Sequence, residues 1–66
     1  MTILVNGEAR ALDEGTTVDA LLDALGVRRD GAAVALNDGV VPRGRHAATA
    51  LRDGDRLEII VAVAGG

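Results

Sequence analysis

The groups with chemical potential in this 66-residue chain are few, and the most suggestive lie at its end. Ala62-Val63-Ala64-Gly65-Gly66 carries an apolar, strand-like run into two glycines and a carboxylate. Glycine has no Cβ, so Gly65 and Gly66 fit passages too narrow for any side chain. Fully extended, Val63 to Gly66 reaches roughly 13 Å at about 3.3 Å per residue. This points to the Gly66 carboxylate as the reactive group, with Val63, Ala64 and Gly65 as the tail that delivers it. The competing reading is that termini fray and that glycines often end a chain without purpose.

The remaining residues offer little for catalysis. A nucleophile, a base and an orienting group cannot be assembled from one histidine, His46, and scattered carboxylates. Cysteine is absent, which excludes disulfides, thiolate nucleophiles and cysteine-based zinc sites. His46 has no histidine or cysteine companion and reads as an exposed loop residue, not a ligand. The acidic residues lack EF-hand spacing, so no metal site is expected. The chain is therefore expected to be a substrate of other enzymes, not an enzyme.

Net charge is −3, with no basic stripe and no aromatic ring on which a base could stack. Nucleic-acid binding is accordingly disfavoured. No apolar run approaches the ~20 residues of a membrane span, and the first residues lack a signal-peptide pattern. A cytoplasmic location is the default expectation. The core must be built from Ile, Leu and Val alone, because Phe, Tyr and Trp are missing.

The elements that would position the tail can be read in order. Thr2–Asn6 is a β-branched, apolar strand, and Asn6-Gly7 is a strong type I′ hairpin signal. Glu8–Leu12 returns as a second strand. Thr17 reads as the N-cap of a helix whose Val18, Leu21, Leu22 and Leu25 form one apolar stripe. Gly26 suits the left-handed C′ position, with Val27 folding back on Leu22. Asp19 and Asp23 occupy the opposite, solvated face. Ala33–Asn37 is a third strand, Asp38-Gly39 a turn, and Val40-Val41 a short fourth strand weakened by Pro42. Gly44–Leu51 reads as a connection without strong period, and Asp53-Gly54-Asp55 as a turn. Arg56–Val63 is the longest strand, with Leu57, Ile59, Val61 and Val63 on one face and Glu58, Ile60 and Ala62 on the other.

One helix with one stripe needs one sheet face to bury it, which predicts a two-layer α+β domain. The first and last strands can pair in parallel because a helical crossover separates them. That arrangement is a ubiquitin-like β-grasp, a mixed sheet of about five strands packed on one main helix. Residues 1–66 are expected to form this single domain, with mobility confined to about 63–66.

Several of these segments taken together resemble the ThiS family of sulfur carriers. They are Val34-Ala35-Leu36-Asn37, Val40-Val41-Pro42-Arg43, Asp53-Gly54-Asp55 and the terminal Ala62-Val63-Ala64-Gly65-Gly66. The early Asn6-Gly7 and the Thr17-Val18 entry to Leu21-Leu22 fit as well, so the resemblance spans nearly the whole chain. The turn motifs are ordinary hairpin chemistry. Val-Val-Pro-Arg combined with a final Gly-Gly is more specific. One departure is His46, which stands near the place where the family often has tryptophan.

The resemblance implies a carrier role in thiamin biosynthesis. A ubiquitin-activating-like adenylyltransferase of the ThiF/MoeB type, using ATP and magnesium, joins Gly66 to AMP. Sulfur from a cysteine-desulfurase-type donor replaces the adenylate to leave a thiocarboxylate. A ThiG-type thiazole synthase then takes the sulfur into the thiazole ring. The alternatives are a carrier for another pathway (molybdopterin synthase small subunit, or tRNA thiolation) and a ubiquitin-like protein modifier. Lysine is absent, so chains linked through this protein's own side chains are excluded. A non-covalent β-grasp binding module, for which the tail is dispensable, is the remaining class. For docking, Ile60 and Ala62 suggest an apolar patch on the open sheet face. Arg43 is a candidate contact for a partner's carboxylate or phosphate, beside the plainer reading of a solvated arginine.

Overall fold

The computed structural model describes residues 1–61. Five strands and one α-helix are present among them: β1 (Thr2–Val5), β2 (Glu8–Ala11), α1 (Val18–Leu25), β3 (Ala32–Leu36), β4 (Gly39–Val41) and β5 (Arg56–Val61). The strands form one sheet in the order β2-β1-β5-β3-β4. β5 is central, parallel to β1 and antiparallel to β3. Two hairpins therefore flank the last strand, and α1 crosses between them, which is a mixed-sheet, ubiquitin-like β-grasp. The expected α+β architecture and the parallel pairing of first and last strands hold.

Local chemistry accounts for each boundary. Asn6 and Gly7 both have positive φ, 50° and 83°, as a type I′ turn requires. The Thr17 hydroxyl accepts from the Ala20 N–H at 3.1 Å, capping α1. At the other end Gly26 has φ 70°. The Val27 N–H donates to the Leu22 carbonyl at 2.9 Å and the Gly26 N–H to Asp23 at 3.1 Å, the paired bonds of a Schellman cap. A Cβ built on Gly26 meets nothing within 4 Å, so a substitution there is opposed by backbone conformation alone. Gly26→Ala is thus expected to lower stability by about 1 kcal/mol, read as a lower urea midpoint with unchanged m-value. An unmoved midpoint would show that the left-handed cap contributes nothing.

The core lies between α1 and one sheet face: Val18, Leu21 and Leu22 from the helix meet Ile3, Val5, Val34, Leu57 and Ile59 from the strands. The helix start is tied to the chain ahead of β5, with the Val18 N–H donating to Thr49 and the Leu51 N–H to Thr16, at 2.9 and 2.8 Å. The sheet thus holds the base of β5 from both edges while the helix covers one face.

Four sequence expectations need correction. The second hairpin turns on Asn37-Asp38 (φ 50° and 71°), not on Asp38-Gly39, because β4 already pairs Gly39 with Leu36. The supposed irregular connection contains a 3-10 helix at Arg43–Ala48, opened by Pro42. His46, expected in solvent, is 2% exposed in that 3-10 turn. Its Nε2–H donates to the Val41 carbonyl at 3.1 Å; a carbonyl only accepts, so Nε2 carries the proton. Nδ1 is buried without a partner. In a chain lacking Phe, Tyr and Trp, this imidazole is the ring that fills the space between the 3-10 turn and the core. Finally, the Asp19/Asp23 face is not simply solvated. Arg29 donates from Nε to the Asp19 carboxylate and from Nη2 to Asp23, the latter at 3.0 Å. These bonds, that to Asp19 foremost, raise the guanidinium pKa above its ordinary value.

Candidate functional site

The sequence predicts a reactive group on the tail, and the described residues include the strand that leads to it. β5 is bonded on both edges, by the pairs Leu4↔Arg56 and Val5↔Leu57 on one side and by Leu36↔Leu57 through Ala32↔Val61 on the other. Ala62, Val63, Ala64, Gly65 and Gly66 lie outside the described residues. Val61 shares the alternation of Leu57 and Ile59 but is exposed, beside the Gly26-Val27 cap of α1.

Of Ile60 and Ala62, expected to form an apolar patch on the open face of the sheet, Ile60 is among the described residues and is exposed. Cross-strand pairing sets Ala33 opposite Ile60, Ala35 opposite Glu58, and Ala35 opposite Val40. Because both β3 residues are alanines, their larger neighbours stand proud: Ile60 is 66% and Val40 79% exposed. Leu4 is exposed on the same face but stands beside Arg56, so that the charged Arg56 and Glu58 separate it from Ile60 and Val40. Val40 and Leu4 were not singled out from the sequence. Alternation along β1 and β4 carried that signal, but the face they share with Ile60 is fixed only once β1 is set beside β5 and β4 beside β3. Arg43, the other suggested contact, is not on this face's strands. It forms an exposed ion pair with Asp30, Nη1 to Oδ1 at 2.7 Å, worth at most about 1 kcal/mol.

A second feature was invisible in the sequence, where Asn6 read only as a turn residue. Its carboxamide reaches 53 residues along the chain to Ile59. Oδ1 accepts from the Ile59 N–H at 2.8 Å, and Nδ2 donates to the Ile59 carbonyl at 3.2 Å. Asn37, at the matching place in the other hairpin, holds Arg56 similarly. Its backbone N–H donates to the Arg56 carbonyl at 2.8 Å, and its Oδ1 accepts from the Arg56 N–H at 2.9 Å. β5 is gripped at Arg56 from one edge and at Ile59 from the other.

None of the described residues forms a group of three or more His, Cys, Asp or Glu able to hold a metal. Among the described residues the geometry is that of a platform: a central strand bonded on both edges, with Ile60 and Val40 exposed on its open face.

Comparison with known proteins gives the same picture. The ThiS family model matches residues 3–66. The Escherichia coli sulfur carrier protein ThiS is 41% identical over 66 residues, covering the whole of both chains. A thiazole synthase of Paramagnetospirillum magneticum is 42% identical over the whole of this chain, which spans only 20% of that relative's length. The crystal structure of the thiamine biosynthesis protein ThiS from Geobacter metallireducens superposes with a TM-score of 0.85 at 36% identity, covering all of both chains. Since the family model and the full-length relative both extend from the first strand through the terminal glycines, the chain belongs to the ThiS family.

Proposed function

We propose that this protein carries sulfur for thiamin biosynthesis as a thiocarboxylate on Gly66. The observation that carries the reading is the placement of the glycine-ended tail directly after β5, the strand bonded on both edges. The full-length likeness to a sulfur carrier supports the role. That this sequence corresponds to a fifth of proteins named thiazole synthase supports a ThiG-type thiazole synthase as the sulfur acceptor.

The chemistry explains why such a platform needs no catalytic group. A carboxylate, with a reference pKa of roughly 3.5, is anionic at neutral pH and a poor electrophile. Attack of a Gly66 oxygen on the α-phosphorus of ATP expels pyrophosphate and makes an acyl adenylate. The ThiF/MoeB-type enzyme supplies magnesium and cationic groups for the phosphate charge. A persulfide sulfur from a desulfurase-type donor then attacks the acyl carbon and expels AMP. Cleavage of the sulfur–sulfur bond by a thiol leaves the thiocarboxylate. Gly65 and Gly66 present no Cβ to the approaching nucleophiles.

Incubation with an adenylating enzyme, ATP, magnesium and a sulfur donor should produce a mass gain of one oxygen replaced by sulfur. Addition of thiazole synthase should then discharge it. An unmodified chain, or function that survives deletion of Gly65-Gly66, would instead support a non-covalent binding module. Docking of the activating enzyme is assigned to the open face around Ile60. Ile60→Asp should leave the fold unchanged and raise the KM for activation about tenfold. Unaltered activation kinetics would place docking elsewhere.

A further inference from the structure

The two hairpins of this sheet are built alike, yet their asparagines serve β5 at different points. β1 pairs with β5 only as far as Leu57, then turns away at Asn6-Gly7. The Asn6 backbone N–H makes the last main-chain bond on this edge, to the Leu57 carbonyl at 2.9 Å. The next β5 residue facing the same edge is Ile59, and both its main-chain groups go to the Asn6 side chain. Past Ile59 the edge opens onto a depression of about 280 Å³, lined by Asn6, Ile59 and Val61 together with Leu25 and Val27. Among the described residues, then, the Asn6 carboxamide stands where a further residue of β1 would have been.

A turn role alone does not require this. At φ 50° glycine serves a type I′ position equally well, and an asparagine can point its side chain into water. Here the amide offers one acceptor and one donor in the spacing of a main-chain peptide, matching an N–H and a C=O that the departing strand leaves behind. We propose that Asn6 is a positioning residue for the Gly66 carboxylate. By completing the edge of β5 at Ile59, it sets the direction of the strand at Val61, from which the tail continues into the activating enzyme. Asn37 makes the comparable grip at Arg56, the far end of β5, where it bears on stability but not on the tail.

The inference rests on the sulfur-carrier reading, and that pairing of asparagines supplies its control. Asn6→Gly and Asn37→Gly both keep their turns, because glycine accepts positive φ, and each removes a side-chain bond to β5. Activation is followed by ATP–pyrophosphate exchange with the adenylating enzyme. Asn6→Gly should lower kcat about tenfold or more, the effect of a shift at the reacting atom smaller than the ångström that costs about a hundredfold. KM should move less than twofold, because the open face that docks is untouched. Asn37→Gly should keep kcat within twofold of the parent whatever its cost in stability. Equal losses of kcat in the two variants, or none in Asn6→Gly, would overturn the assignment.

A second measurement does not depend on the activating enzyme. Residual dipolar couplings of the Ile60 and Val61 amides should shift in Asn6→Gly and stay in place in Asn37→Gly; unchanged couplings in Asn6→Gly count against the clamp. If the parent protein itself takes no adenylate, the sulfur-carrier reading fails, and these couplings alone judge whether Asn6 directs β5.

Discussion

Replacing Gly66 by valine is expected to leave the urea unfolding curve where it is and to reduce thiocarboxylate formation at least a hundredfold. The stability half follows from the position of the residue. Among the described residues the buried cluster runs from Ile3 to Ile59, and a glycine has no side chain to contribute to it. The activity half follows from the reaction. In the proposed reaction both the phosphorus of ATP and the incoming sulfur must approach the carboxyl of residue 66 itself. A β-branched side chain on that residue has few χ1 states in which it clears the approach, and it widens the segment that must enter a narrow passage. Displacing reacting atoms by about an ångström is enough for a hundredfold effect. Mass spectrometry after incubation with the adenylating enzyme and sulfur donor reads the outcome directly. Normal loading of Gly66→Val would remove the basis for assigning the carboxylate the reactive role.

Leu22→Ala should do the reverse, costing stability while leaving the chemistry of each folded molecule intact. Leu22 is fully buried, on the helix stripe it shares with Val18 and Leu21. Truncating such a leucine costs about 2–5 kcal/mol, the transfer of its methyls plus the cavity they leave. A chain of this length has roughly 3–10 kcal/mol of stability in total, at 0.05–0.15 kcal/mol per residue. The variant is therefore expected to lose a large share of its stability, with a sharply lower urea midpoint and a molecule partly unfolded near body temperature. The all-aliphatic composition sharpens this, because no aromatic ring is at hand to swing into the void. Loading should fall only in proportion to the folded fraction and recover on cooling toward the stability maximum. A loss below 1 kcal/mol would mean that α1 is not the cover of this sheet. Set side by side, the two variants separate what builds the platform from what the platform presents.

Much of the fold was legible because short-range signals agreed with one another. Asn6-Gly7, the Thr17 cap, the Val18-Leu21-Leu22 stripe and Gly26 each specify their local conformation through φ, hydrogen bonding or period, and each is found where it was read. Where reading slipped, the deciding interaction was distant in sequence. The turn at Asn37-Asp38 is shifted by one residue from Asp38-Gly39 because Leu36 pairs with Gly39 across the hairpin. His46 looked like a loop residue since nothing beside it in the chain reveals a buried acceptor; the Val41 carbonyl and the packed helix supply that environment only after folding. The absence of Phe, Tyr and Trp from the chain was the one available hint. The Asp19/Asp23 face likewise gained its partner, Arg29, only when the chain turned back after Gly26.

The amino-acid sequence by itself determined the kind of chemistry open to this protein. With no cysteine, no lysine and a single histidine among its residues, thiolate, disulfide and lysine chemistry are closed to it. It also determined the helix and its caps, since these depend on neighbours within a few residues. The tertiary structure alone decided what stands next to β5. Ile60 and Val40 stand exposed on one face because β3 places alanines beside them. Asn6 reaches Ile59 through its side chain because the pairing of β1 with β5 ends at Val5↔Leu57, two residues short of Ile59. Both depend on strand register, which is set by contacts between residues far apart in the chain, and no local propensity encodes it.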